Sequence, residues 1–99
     1  MLLDKKYAVI TGSNRGIGKA ILKKFAENGC YIIAHSRKRT KEFEEYLYQV
    51  TTENRVQVYP VYFDFNDGDG MKKAVQDILK ITRKIDILVN NVGVVNNIK

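Results

Sequence analysis

Eight consecutive residues, Thr11-Gly12-Ser13-Asn14-Arg15-Gly16-Ile17-Gly18, hold the most legible chemistry in this 99-residue chain. They follow a β-branched and apolar run, Tyr7–Thr11, and lead into Ile17, Ile21 and Phe25, whose spacing predicts a helix. A glycine-rich turn in that position suits phosphate binding. Gly12 permits a tight exit from the strand, Gly16 lets the backbone approach a phosphate without a Cβ in the way, and Gly18 allows close packing of helix on strand. The helix start adds unpaired N–H groups and the positive end of a dipole. A P-loop is excluded, because Ser13 stands where its first glycine belongs and Ala20 replaces the metal-binding hydroxyl. The competing reading is a glycine turn with no ligand.

The rest of the chain supplies elements that can hold such a turn in place. Helical spacing recurs at Phe43, Leu47 and Val50, and again at Met71, Ala74, Val75, Ile78 and Leu79. Further strands are predicted at Tyr31–Ala34, Val56–Phe63 and Ile85–Val89. The order is therefore β-α-β-α-β-α-β. Strands alternating with amphipathic helices imply right-handed crossovers and a parallel sheet of the α/β, Rossmann-like, doubly wound kind. Pro60 has no N–H to give a ladder, which places the third strand at an edge, as in a strand order 3-2-1-4. Asn28-Gly29 and the stretch Asn66 to Gly70 provide turn and cap chemistry.

Composition narrows the partners. Seventeen Lys and Arg against 11 Asp and Glu give +6, which favours anionic ligands such as phosphates or nucleic acid. No segment approaches the roughly 18 continuous apolar residues of a membrane span. Cys30 is the single cysteine, so no internal disulfide forms, and the start of the chain lacks a signal-peptide core. A cytoplasmic protein is expected. Cys30 reads as a core residue, and His35, with no second ligand at metal spacing, as a strand-end residue. A basic nucleic-acid-binding protein using Lys5, Lys6, Lys23, Lys24 and the 37–41 cluster is a minor alternative without a motif to support it.

Three further landmarks follow the glycine turn in order: Ser36-Arg37 after the second strand, Asp64 after the third, and Asn90-Asn91-Val92-Gly93 after the fourth. Together with Thr-Gly-x-x-x-Gly-x-Gly they resemble the short-chain dehydrogenase/reductases, most nearly the 3-oxoacyl-(acyl-carrier-protein) reductase type. The resemblance implies that Gly12, Ser13, Asn14, Arg15, Gly16, Ile17 and Gly18 form the pyrophosphate and adenosine-ribose site. It also implies that Asp64 accepts a hydrogen bond from the adenine amino group beside the Phe65 backbone, and that Asn90, Asn91 and Gly93 lie along the adenosine. Val92 departs from the family's usual alanine. The turn His35-Ser36-Arg37-Lys38-Arg39-Thr40 carries no acid to bind both ribose hydroxyls, while Arg37, helped by Arg15, suits a 2′-phosphate. NADP(H) is the expected cofactor.

The family's reaction passes a hydride between the nicotinamide and a carbonyl or alcohol carbon, with a Tyr-x-x-x-Lys pair and a serine moving the proton. Four residues beyond the tyrosines at 7, 31, 46, 48, 59 and 62 stand Thr11, His35, Val50, Thr52, Phe63 and Asn66, none of them lysine. Residues 1–99 are thus expected to form the first half of the Rossmann-like domain, ending before the catalytic half and without catalysis of their own. A stand-alone nucleotide-binding module and a truncated product without activity are the alternatives. The apolar fourth strand, left without its next neighbour, is expected to promote self-association.

Overall fold

The computed structural model describes residues 1–91. The elements run β1 (Tyr7–Ile10), α1 (Gly16–Glu27), β2 (Tyr31–Ser36), α2 (Lys41–Asn54), β3 (Val58–Tyr62), α3 (Gly68–Ile81) and β4 (Ile87–Val89). The sheet order is β3-β2-β1-β4 and every pairing is parallel, as the alternation of strands and helices predicts. Pro60 sits in the edge strand opposite Ala34, where its missing N–H leaves no central ladder incomplete.

Alternate residues of each strand feed two cores. Ala8, Ile10, Ile32 and Ala34 face α1 and α2 through Leu22, Ala26, Phe43, Leu47 and Val50. Val9, Ile33 and Val61 face Ala74 of α3 on the opposite side. Both faces of the central strands β1 and β2 are covered, which is why these strands are almost uninterruptedly apolar, whereas Leu88 of β4 stays exposed.

Two helical faces differ from the apolar spacing. In α1 the buried residues are Gly18, Leu22 and Ala26, one position along from the expected stripe, and Ile17 is 71% exposed. Gly18 must lie against the β1 turn, and that contact rotates the helix so that Ile21 and Phe25 only flank the core. In α3, Ala74 is buried and Ile78 packs beside it, whereas Val75 and Leu79 remain 55% and 46% exposed. A single helix on that face can turn only one stripe to the sheet.

The strands also end differently from expectation. Strand β2 continues through His35 and Ser36, and β3 and β4 each begin two residues later than the apolar runs suggest. No helix among the described residues is long and apolar enough to cross a membrane.

Candidate nucleotide site

The parallel strands deliver the segments that follow them to the carboxyl end of the sheet. The turn after β1 has Gly12 at φ +58 and Gly16 at φ +59, left-handed conformations that cost glycine little. Between them Ser13 is fully buried, its N–H and Oγ both donating to the His35 carbonyl at 2.9 Å. That anchor leaves Asn14, Arg15 and Gly16 standing out from the sheet.

The three helix starts are chemically unlike one another. Thr40 caps α2 by accepting from the Phe43 N–H, and Asp67 caps α3 by accepting from the Gly70 N–H; each helix also has acid in its first turn. Helix α1 has neither a side-chain cap nor an acidic residue there. Its first N–H groups and positive dipole end are left for something else.

That start opens on a cleft of about 910 Å³, at the upper end of the roughly 300–1,000 Å³ typical of small-molecule sites. Of the expected site residues, Gly12, Asn14, Arg15, Gly16, Ile17, Ser36, Arg37, Asp64, Phe65 and Asn91 line it. Ser13 and Gly18 are buried beneath the turn and act on its shape, and Asn90 lies outside the lining. Gly93 and Val92 fall outside the described residues. Lys38, Thr40, Phe63 and Asn66 also line the cleft, although their types alone do not single them out.

The charge in the cleft is mainly positive: Arg15, Arg37 and Lys38 against Asp64. Arg39, by contrast, pairs with Glu44 at 2.6 Å, lies 4.9 Å over the Tyr62 ring and is not part of the lining. The Ser36 hydroxyl donates to the Lys38 carbonyl at 3.1 Å and so closes the turn that presents Arg37. Asp64 accepts from the Asn66 N–H at 2.9 Å, a turn-capping bond that still leaves its carboxylate at the cleft wall.

Two residues to which the sequence reading gives no fastening role tie the loops together. Thr11 Oγ1 accepts from the Asn91 N–H at 2.8 Å and donates to Asn90 Oδ1 at 3.0 Å, tying the turn after β1 to the loop after β4. Substituting Thr11→Val keeps the shape and strips the acceptor from Asn91; a loss of about 1–3 kcal/mol in urea denaturation is expected. His35, 2% exposed, reaches both Gly12 and Phe63.

Cys30 stays in the core, as expected of it. Burial, reinforced by the Asp86 charge, pushes its thiol up to about 11, and the Sγ–H lies 3.4 Å from the Lys6 carbonyl. Reactivity follows the thiolate. Alkylation near neutral pH should therefore be slow in the native protein and become rapid only in denaturant, as mass spectrometry would record.

A glycine turn and an uncapped helix start at the carboxyl end of a parallel sheet define a dinucleotide-binding fold of the Rossmann kind. The family model for short chain dehydrogenases matches residues 6–99, and the chain belongs to that family. It is 42% identical over 93 residues to an NADPH-dependent 3-dehydrocapnine reductase of Ornithobacterium rhinotracheale, covering 90% of this chain and 30% of that protein. It is 34% identical over 94 residues to a 3-oxoacyl-(acyl-carrier-protein) reductase of Aquifex aeolicus, covering 93% and 37%. Among solved structures, L-sorbose reductase of Gluconobacter frateurii, complexed with NADPH and L-sorbose, superposes with a TM-score of 0.83 at 34% identity. That match covers 92% of this chain and 34% of the reductase. The chain thus spans about a third of the length of these relatives.

Proposed function

We propose that this chain is the nucleotide-binding part of an NADP(H)-dependent short-chain oxidoreductase acting on a carbonyl or alcohol substrate. The observation that carries the reading is the bare start of α1, opening on a cleft whose cations outnumber its one carboxylate. The pyrophosphate belongs over the Gly12–Gly18 turn, where backbone N–H groups and the helix dipole offset its charge. Arg37 and Arg15 take the 2′-phosphate, Asp64 and Phe65 the adenine, and Asn91 with Asn90 and Gly93 the adenosine side toward β4.

When bound, the cofactor supplies or accepts the hydride. This chain's residues hold and orient it, and the family's Tyr-x-x-x-Lys, which does not occur among the 99 residues, is not theirs to supply. By itself the chain binds without turnover in this reading, and β4, which ends the sheet among the described residues, is the edge where a further strand or a second copy pairs. The NADPH dependence of the 3-dehydrocapnine reductase and the NADPH complex of L-sorbose reductase support the cofactor choice, as does the absence of an acid between His35 and Thr40.

Adding NADP⁺ to the ¹⁵N-labelled natural protein tests this. Shifts concentrated at Asn14, Gly16, Arg37 and Phe65 are expected; an unchanged spectrum at saturating nucleotide refutes the assignment.

A further inference from the structure

His35 lies where the phosphate turn and the loop after β3 meet. Its Nδ1 accepts from the Gly12 N–H at 3.0 Å, and its Nε2 lies 2.9 Å from the Phe63 carbonyl. A carbonyl only accepts, so Nε2 must carry the proton; Nδ1, facing a donor, must carry none. The two partners together select one neutral tautomer. The His35 carbonyl adds the two bonds from Ser13, and the rings of Phe63 and Phe65 lie against the imidazole at centroid distances of 4.2 and 5.4 Å.

We propose that His35 is a positioning residue that, as the neutral Nε2–H tautomer, clasps the glycine turn to the loop after β3 and so fixes the spacing between the pyrophosphate and adenine subsites. The proposal rests on the nucleotide-binding reading for its purpose, though not for its geometry. No other side chain among the described residues bonds to both loops. The charged groups that line the cleft with His35 are Arg15 after β1, Arg37 and Lys38 after β2, and Asp64 after β3; the same loops also carry Arg39, paired with Glu44, and Asp67, which caps α3, and the β4 side offers the neutral Asn91. Burial holds the ring below its usual 6.5, in keeping with a neutral imidazole. Protonating Nδ1 sets a donor against the Gly12 N–H, so the clasp opens when the ring becomes charged.

The test uses the natural protein without ligand and then with NADP⁺. The ¹⁵N spectrum of the ring should show the Nε2–H form, and the Gly12 amide should move with the midpoint of the ring's own titration. A ring protonated on Nδ1, or a Gly12 amide indifferent to that titration, overturns the proposal whatever the protein binds. His35→Asn sets an amide oxygen where Nδ1 lies, and His35→Leu has similar bulk and no acceptor. NADP⁺ affinity should fall on the order of tenfold further in the leucine variant than in the asparagine variant. Equal losses in two folded variants contradict the clasp; if neither folds, the wild-type titration decides. A wild type that binds no NADP⁺ but passes the titration refutes the cofactor reading and leaves the clasp standing.

Discussion

Substituting Gly18→Ala should destabilise the domain by about 3 kcal/mol, the upper end of what overpacking a close contact costs. A Cβ at this position collides with the Gly12 carbonyl oxygen and comes within 3.0 Å of its carbonyl carbon and 2.6 Å of Asn91 Nδ2. The side-chain amide can swing aside. The Gly12 backbone cannot, because its N–H is bonded to His35 and the next residue is anchored twice to the His35 carbonyl. Helix α1 must therefore lift from β1, drawing Leu22 and Ala26 out of the core with it. Gly16→Ala is the instructive contrast, since nothing lies within 4 Å of its Cβ and only the φ of +59 is strained, at about 1–2 kcal/mol. The urea midpoint should fall much more for Gly18→Ala, whereas at Gly16 the new methyl stands in the open turn proposed to hold the pyrophosphate, and the principal loss should be nucleotide affinity. Similar stability losses at the two positions would mean that the turn does not pack as described.

The second large effect concerns cofactor choice. Arg37 is exposed at the cleft and has no carboxylate partner among the described residues, while Arg39 two positions on is occupied by Glu44. Charge-assisted hydrogen bonds contribute roughly 1.5–3 kcal/mol, so Arg37→Ala should weaken NADP⁺ binding roughly tenfold to a hundredfold. NAD⁺, which lacks the 2′-phosphate, should lose about twofold or less by the same argument. Raising the ionic strength should narrow the difference, because the pair is solvent-facing. Calorimetric titration of both nucleotides into both proteins checks this, and equal losses would remove the 2′-phosphate from Arg37.

Most of the sheet was legible from the sequence because its signals are local. Short apolar runs alternating with helical spacing define parallel crossovers, and Pro60 alone places β3 at the edge. The glycine turn was legible for the same reason. What the pattern did not give was rotation: Ile17, Ile21 and Phe25 mark an apolar stripe, but the contact between Gly18 and Gly12, a tertiary fact, decides which residues turn inward. Nor did it give the fasteners. Thr11 and His35 act by bonding to residues 80 and 23–28 positions away, and neither their types nor the local motif around them announces such partners. His35 reads as a strand end from the sequence because the apolar run stops at Ala34; it is buried because β2 runs on to Ser36 beside β3.

Calorimetric titration of the natural protein with NADP⁺ and, separately, with NAD⁺ bears most directly on the central claim that the cleft beside α1 is an NADP(H) site. Saturable one-to-one binding of NADP⁺, at least about tenfold tighter than NAD⁺, is the predicted result. Tighter binding of NAD⁺, or no binding of either nucleotide by the folded protein, would contradict it.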